Sequence, residues 1–501
     1  TENRAPKPTE TMERIKEIAG NFWVQVAAFC FLTVFSVFLR ILFLPVTPDL
    51  VISPFFSLID IRINVYILLP AFVFIGFFLS IKPFLRFPTA GKVMFLASFF
   101  VLLTVAVNSA DGGLHEIYFR ALGEYRTDAL KLYEHGNFLR DYHLNVKGLR
   151  GHTTVHPPGT FVYLYPFIKL LGPNWRLIAV VNALIASAGA VLTWKSAEEI
   201  YGRETADFAA MLYIAAPSLI LYGSGFDAVY CFIGTLILYF SALLLNRRMP
   251  VYAVLTGVAL AIGFFFSYQL VFLALLIIVW SVVYLVKKPK NGDKKRDTFE
   301  SDSNTSYSTN NRLKTVTLSE TFANVSITFA TSALFFIFLY LAFGYDVITV
   351  FRHQLRTAEK WFSAGWNVLY WIKLTFFKAR PYVGEHRSYI EWVAGNLIAF
   401  GFLLGPPTVV LFIKNQFRKT RTGRKPDGGY IFISAVTVSF VLYNLSGMTL
   451  GETERVWNFM IPLFVIGAGF QLRENTRLLY PVLIVNLVIS WLFEVFFWHV
   501  N

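Results

Sequence analysis

Apolar runs recur along almost the whole chain and decide its structural class. Each run is bounded by charged residues, Pro or Gly, and most approach the ~20 residues that an α-helix needs to cross a bilayer. The runs lie at 23–45, 64–82, 93–109, 174–197, 207–223, 228–246, 250–266, 267–286, 321–344, 391–413, 429–446, 457–470 and 477–497. They predict an all-α polytopic membrane protein with about 13 transmembrane helices.

Composition and charge agree with this class and add an orientation. Of the 501 residues, 55% are hydrophobic and 15% are charged, far from the average soluble domain. With the amino terminus in the cytoplasm, 27 of the 45 Lys and Arg residues fall inside, as the positive-inside rule requires. The net charge of +14 is therefore a topology signal near anionic headgroups and does not indicate nucleic-acid binding. Cys30 and Cys231 lie in apolar runs and indicate neither a disulfide framework nor a metal cluster.

The order of runs and loops divides the chain into three parts. Residues 1–92 read as a cytoplasmic tail with two additional transmembrane helices, and 93–344 as a module with a large outer loop at 110–173 and a cytoplasmic linker at 287–318. Residues 345–501 add a second outer loop at 345–390 and the last helices. Both outer loops mix aromatic and charged residues too densely for plain connectors, so function is expected there.

The first outer loop carries paired carboxylates on a predicted helix. Between residues 114 and 133 apolar residues recur at helical spacing, which predicts an amphipathic helix on the membrane surface that ends at Gly136. Glu124 and Asp128 are four residues apart and share a face, as a general base and its supporting partner would. A solvated acidic face explains the same spacing, because three positively charged residues lie nearby in the sequence and can balance it: Arg120, Arg126 and Lys131.

A rigid turn follows in the sequence "TTVHPPGTFVYLYPF" at 153–167. Pro157 and Pro158 have no N–H group and bias His156 towards an extended backbone, so the chain turns sharply into a helix. The apolar run after the prolines is too short to span comfortably, which predicts a second helix lying at the interface. A purely structural Pro-Pro turn remains an alternative reading.

These motifs together resemble the GT-C superfamily of membrane glycosyltransferases, notably the protein O-mannosyltransferases and the bacterial aminoarabinose-transferase-like enzymes. Those families have an acidic residue in the first outer loop, an interfacial helix, an "HPP" or "KPP" motif and a second interfacial helix; here these are Asp128, "ALKLYEHGNF", "HPPGTF" at 156–161 and the run after it. The resemblance extends to "YGSGFDAVY" at 222–230 and "GETERVWNFMIPLF" at 451–464, and covers roughly 93–501.

Two features depart from the family pattern. Two apolar runs precede residue 93, and Glu124 and Asp128 stand where relatives commonly have an adjacent Asp-Glu pair. The identity of the base is thereby left open, with Asp111 and Glu116 as further candidates.

The resemblance implies a GT-C fold and an inverting transfer of a sugar from a polyprenyl-phosphate donor to an acceptor hydroxyl on a glycan, lipid or protein. It implies Asp128 as the base, ahead of Glu124, and Arg455 as the leading phosphate ligand, because a guanidinium grips two phosphate oxygens. The other implied donor-phosphate ligands are His156, Lys378 and Arg380. The supporting residues are Asp227, Glu452, Glu454 and Thr154. A divalent cation, Mg or Mn, shared by Asp128 and Asp227 is an option that some relatives use and others do not.

Each role has a plainer alternative, and so does the function. Arg455 and its Glu neighbours are equally consistent with a structural ion pair. The cationic and aromatic residues of 345–390 are equally consistent with an interfacial belt. A ligase or polymerase using a lipid-pyrophosphate-linked glycan is a second function, and a flippase or transporter of lipid-linked substrates is a third. A transporter should place ionisable residues near mid-bilayer, whereas these candidates cluster in outer loops. The expected location is the plasma membrane, with a bacterial inner membrane favoured, and an active site on the extracytoplasmic face.

Overall fold

The computed structural model describes residues 20–43, 57–59, 65–110, 125–134, 136–286, 318–362, 389–422, 428–446, 449 and 453–499. Helices dominate these residues. Those of the first half are α1 (Phe22–Phe43), α2 (Leu69–Arg86), α3 (Thr89–Asn108), α4 (Tyr125–Tyr133), α5 (Tyr142–Asn145), α6 (Gly159–Leu171), α7 (Trp175–Tyr201), α8 (Arg203–Ile214), α9 (Pro217–Leu221), α10 (Phe226–Arg247) and α11 (Pro250–Phe266). Those of the second half are α12 (Phe272–Val286), α13 (Leu318–Phe343), α14 (Val347–Phe362), α15 (Tyr389–Leu404), α16 (Pro406–Thr422), α17 (Gly428–Leu445), α18 (Thr453–Val456), α19 (Ile461–Glu474) and α20 (Leu479–Phe496).

Short segments complete the description. Strand β1 (Ser57–Ile59) pairs antiparallel with β2 (Phe497–His499). Turns of 3-10 helix occur at Val65–Leu68, Val146–Gly148, Gly151–Val155, Tyr268–Val271, Asn458–Met460 and Thr476–Leu478. The all-α architecture predicted from the apolar runs is confirmed.

Every predicted apolar run coincides with a helix or a broken pair of helices, but not every one has the length of a span. Seven helices are long and apolar enough to cross a membrane, and an eighth span results if one bent pair is counted as a single span. Shorter apolar helices account for other runs: Phe22–Phe35, Gly159–Leu171, Pro250–Phe266 and Gly429–Leu445. The chain is an integral membrane protein, and the count of 13 spans and the three-part division at residues 92 and 344 stay predictions.

Two runs predicted as continuous spans are broken. The run at 207–223 divides into α8 and α9, because Pro217 favours an extended backbone in the residue before it and begins a new helix. The run at 391–413 bends by 108° between α15 and α16. The bend lies at Gly405, whose φ of +103° and close approach to Asn486, 2.2 Å from where a Cβ would stand, both require glycine.

Helix α10 lies at the centre of the bundle and α13 at its periphery. α10 packs against α7 and α11, and 72% of its apolar window is buried, whereas only 11% of the window of α13 is buried. Large side chains of α13 such as Phe322, Leu334 and Leu341 are exposed, as expected for a helix that faces lipid.

A buried ion pair joins two of the inner helices. Lys92, in the first turn of α3, lies 2.5 Å from the carboxylate of Asp207 in α8, and both residues are buried. Trp194 of α7 donates its indole N–H to the other oxygen of Asp207 at 2.9 Å. One carboxylate therefore satisfies a cation and an indole from two neighbouring helices, which fixes the packing of α3, α7 and α8 at this end of the bundle.

We expect this pair to tolerate joint replacement better than the loss of one member. Asp207→Leu leaves the ammonium of Lys92 and the indole N–H of Trp194 buried without the carboxylate, so it should cost about 3–5 kcal/mol of stability. Asp207→Leu with Lys92→Met should be closer to wild type. Thermal unfolding in detergent micelles measures both.

The control is Glu198→Leu, which removes the partly exposed pair of Lys195 and Glu198, 2.8 Å apart, and should cost less than about 1 kcal/mol. Equal stability of Asp207→Leu and Glu198→Leu would show that the buried pair contributes no more to stability than the partly exposed pair.

Candidate functional site

The acidic helix that the sequence predicts within 110–173 corresponds to α4. The sequence predicts a helix over 114–133, and the described part runs from Tyr125 to Tyr133, before Gly136 with its φ of +59°. Asp128 lies in the first turn of α4 and is fully buried. Glu124 lies outside the described residues.

Asp128 ties α4 to the turn that precedes the two prolines. Its Oδ2 accepts hydrogen bonds from the backbone N–H of Arg150 at 2.8 Å and from the hydroxyl of Thr153 at 2.6 Å. Its Oδ1 has no hydrogen-bond partner among the described residues, and the ammonium of the half-exposed Lys131 lies 4.0 Å away. One oxygen is thus structural, while the other keeps acceptor capacity inside the site.

The Pro-Pro turn is held through the backbone of His156. His156 has an extended backbone (φ −99°, ψ 144°), as predicted, and α6 begins at Gly159. The carbonyl of His156 accepts a hydrogen bond from the hydroxyl of Tyr142 at 2.9 Å and another from the side-chain amide of Gln354. The hydroxyl of Tyr268 in turn donates to the carbonyl oxygen of the Gln354 side chain. Two separate parts of the chain therefore donate to one carbonyl, and Tyr268 holds one of the two donors in place.

Burial favours the protonated form of the tyrosine that holds this carbonyl. Tyr142 is fully buried, and burial raises the pKa of its hydroxyl well above the usual value. The hydroxyl therefore stays protonated at physiological pH and remains a donor.

Aromatic rings surround the imidazole of His156. The ring of Tyr125 meets it edge-on with centroids 6.1 Å apart, and the ring of Tyr230 lies nearly parallel to it at 6.5 Å. Tyr125 also contacts Phe226 at 4.9 Å, and the hydroxyls of Tyr230 and Thr160 lie 2.9 Å apart. The start of α4, the Pro-Pro turn and the start of α10 therefore meet at one place.

An ion pair lies beside this aromatic cluster. Asp227 occupies the first turn of α10, where a carboxylate is favoured by the helix dipole, and Arg455 belongs to α18. The guanidinium Nε and the carboxylate Oδ2 are 3.7 Å apart, and the side chains are 18% and 19% exposed. Because Tyr230 follows Asp227 by one turn and stacks on His156, the pair belongs to the same site.

Known proteins resemble this chain over part or most of its length. Residues 155–296 match the family model of dolichyl-phosphate-mannose-protein mannosyltransferases. The predicted resemblance to the GT-C glycosyltransferases is confirmed over this segment. The segment begins just before the Pro-Pro turn and includes His156 and Asp227.

Solved structures also show similarity to this chain. One of them is the crystal structure of ArnT from Cupriavidus metallidurans bound to undecaprenyl phosphate, with 14% identity and a TM-score of 0.35. The similarity covers 77% of this chain and 78% of that one. A search of curated protein sequences gave no match.

The structure gathers several of the residues singled out from sequence. Asp128, His156, Asp227 and Arg455 lie in one contiguous region, and Thr154 lies in the 3-10 turn Gly151–Val155 beside Thr153. Glu454 lies in α18, next to Arg455. Besides Glu124, five candidate residues singled out from the sequence lie outside the described residues: Asp111, Glu116, Lys378, Arg380 and Glu452. The catalytic and binding roles of all these residues stay predictions.

Sequence reasoning missed the helix that supplies Gln354. Helix α14 begins after Asp346, whose carboxylate accepts from the backbone N–H groups of Ile348 and Thr349 at 3.0 Å. Hydrogen bonds to its carboxylate, of which those from Thr349 contribute most, lower the pKa of Asp346. Val350 and Gln354 lie one turn apart and are both buried. An Asp before a helical periodicity with a glutamine on its apolar face was the available signal.

We expect the two donors to the His156 carbonyl to be energetically coupled. Tyr142→Phe and Gln354→Leu each leave one donor, so each should cost about 0.5–1.5 kcal/mol. The double variant leaves the carbonyl of His156 without either donor and should cost about 1 kcal/mol more than the two single losses together. Thermal unfolding of the four proteins measures the coupling.

The control pairs Gln354→Leu with Tyr201→Phe, which removes a hydrogen bond to the carbonyl of Gly429 elsewhere in the bundle. Those two losses should be additive. Additivity of Tyr142→Phe and Gln354→Leu would instead argue against a shared acceptor.

Proposed function

We propose that this protein transfers a sugar from a polyprenyl-phosphate donor to an acceptor hydroxyl, with inversion, at the extracytoplasmic face of the membrane. The observation that carries the proposal is the meeting of Asp128, His156 and the Asp227–Arg455 pair at one end of the bundle. The mannosyltransferase match over 155–296 supports the reaction class. Acceptors of this chemistry are hydroxyls of a glycan, a lipid or a protein.

The residues divide into a base and a cationic phosphate site. A phosphate is a good leaving group, so the reaction needs a base for the acceptor hydroxyl and positive charge for the departing phosphate. Asp128 is the proposed base, acting through Oδ1, because Oδ2 already accepts two hydrogen bonds. Glu124, one helical turn earlier in sequence, is the second candidate.

Arg455 is the proposed ligand of the donor phosphate, with His156, Lys378 and Arg380 as further ligands. Asp227 lies close enough to hold the guanidinium of Arg455 in place, and partial exposure leaves the pair within reach of a ligand. Glu452, Glu454 and Thr154 support the site. With the base and the phosphate on opposite sides of the anomeric carbon, a single displacement inverts its configuration.

A divalent cation, Mg or Mn, fits one feature of this site. Asp128 Oδ1 is a buried carboxylate oxygen without a hydrogen-bond partner among the described residues, and hard cations prefer such oxygens. Asp227 is the proposed second carboxylate ligand. When bound, the cation would supply positive charge for the leaving phosphate. No cluster of three His, Cys, Asp or Glu residues occurs in the part of the chain that the structure describes.

We expect turnover of one member of a panel of radiolabelled polyprenyl-phosphate sugars by the purified protein. Asp128→Asn keeps an acceptor for Arg150 and Thr153 but removes the base, so it should lower kcat by about 10²–10⁴ without unfolding the loop. Arg455→Ala should lower donor affinity, with Arg455→Lys intermediate.

The anomeric configuration of the product tests inversion, and a chelator arm tests the cation. Lipid-pyrophosphate-linked glycans in the same panel test the ligase alternative. Full activity in both Asp128→Asn and Glu124→Gln would exclude the proposed base, and turnover of no donor would contradict the function.

Membrane sidedness is tested by cysteine labelling in a Cys30→Ala, Cys231→Ala background. Asn137, in the first outer loop, and Glu204, at the start of α8, are both exposed and suit Asn137→Cys and Glu204→Cys. An impermeant maleimide should label the first in intact cells and the second only after permeabilisation. The reverse pattern would place the site on the cytoplasmic face.

A further inference from the structure

The end of α10 remote from the candidate site has an unusual backbone. Arg248 directly follows α10 with φ +59° and ψ +23°, and it is the one non-glycine residue with positive φ among the described residues. Its N–H donates to the carbonyl of Leu244 at 2.9 Å, which closes the helix. Glycine adopts this left-handed conformation without strain, so an arginine here suggests a use for its side chain.

The side chain of Arg248 reaches into a cleft between α10, α12 and α13. Its Nη2 donates to the hydroxyl of Tyr284 at 3.1 Å. The cleft is also lined by Ser281 on α12 and by Glu320 and Asn324 on α13. Among the described residues, no carboxylate lies within 4 Å of the guanidinium of Arg248. This holds for Glu320 as well, although Glu320 lines the same cleft.

The neighbouring arginine is different. Arg247 lies 3.3 Å from the carboxylate of Glu199 and also bonds the hydroxyl of Tyr252. Two adjacent arginines therefore have different surroundings: Arg247 is paired with a carboxylate, whereas Arg248 enters a polar cleft in which no carboxylate of the described residues lies within 4 Å of it. A partly buried cation of this kind calls for an anionic partner.

The location of the cleft indicates where that anion comes from. α10 has 22 residues and therefore extends about 33 Å, close to the thickness of a bilayer, from Asp227 in its first turn to Arg248. The cleft thus lies at the membrane surface opposite the candidate site. Apolar side chains are exposed on both helices beside it, namely Val282, Val286, Leu318 and Phe322.

We propose that this cleft binds an anionic phospholipid through its headgroup phosphate. The guanidinium of Arg248 pairs with two phosphate oxygens, while Tyr284 fixes its orientation. Ser281 and Asn324 supply further donors, and the acyl chains lie against the exposed apolar surfaces of α12 and α13. These apolar surfaces favour a lipid over free phosphate as the source of the anion.

The test measures retention of phosphatidylglycerol by the full-length protein with native mass spectrometry. Arg248→Gly removes the guanidinium and relieves the left-handed backbone, so retention should fall at least tenfold while the unfolding temperature stays equal or rises. Arg247→Gln is the matched control and should change retention less than twofold. Arg248→Gln, which keeps a side chain at this position, should lose the lipid as well.

Two further probes identify the ligand. Diacylglycerol, which lacks the phosphate, should not be retained, and inorganic phosphate should not compete at concentrations matched to the lipid. Equal retention in wild type, Arg248→Gly and Arg247→Gln would overturn the site. Competition by inorganic phosphate that depends on Arg248 would overturn its assignment to a lipid.

Discussion

Inside a bilayer a polar group finds its partners only within the protein, and this constraint shapes the whole bundle. Lys92, Asp207 and Trp194 satisfy one another between three helices. Asn182 accepts from the hydroxyl of Tyr163 and donates to the carbonyl of Ser224, which joins α6, α7 and the turn before α10. Each such contact requires a particular depth and rotation of its helices. The polar residues therefore specify which helices are neighbours, whereas the apolar residues favour burial of every helix without selecting its neighbours.

The same constraint builds the candidate site. The backbone of His156 is extended, so its carbonyl lies outside a helix and needs donors from elsewhere. Tyr142 in the first outer loop and Gln354 in α14 provide them. A rigid turn thus becomes the point where the segments on either side of it in the chain are joined to α14. The imidazole is held between Tyr125 and Tyr230, which brings the acidic helix and the start of α10 to the same frame.

Local sequence signals predicted the parts of this structure that depend on neighbouring residues. Apolar runs located the helices, Gly136 marked the end of α4, and the prolines marked the start of α6. Contacts between distant residues were not predictable in this way. Gln354 and His156 are 198 positions apart, and the residues around each of them do not indicate that the two are in contact. The bend at Gly405 depends on the nearby Asn486, which is also a tertiary feature. The candidate residues came from a family resemblance; their arrangement came from the structure.

α10 links the candidate site to the opposite membrane surface. Asp227 begins this helix beside Arg455, and Arg248 follows its end with a guanidinium in a polar cleft. Charged groups at both ends of a hydrophobic span resist movement along the membrane normal, because displacement in either direction would carry one of them into hydrocarbon. A helix held at both ends keeps its first turn at headgroup depth. The proposed lipid contact at Arg248 would therefore help to set the height of the candidate site at Asp227.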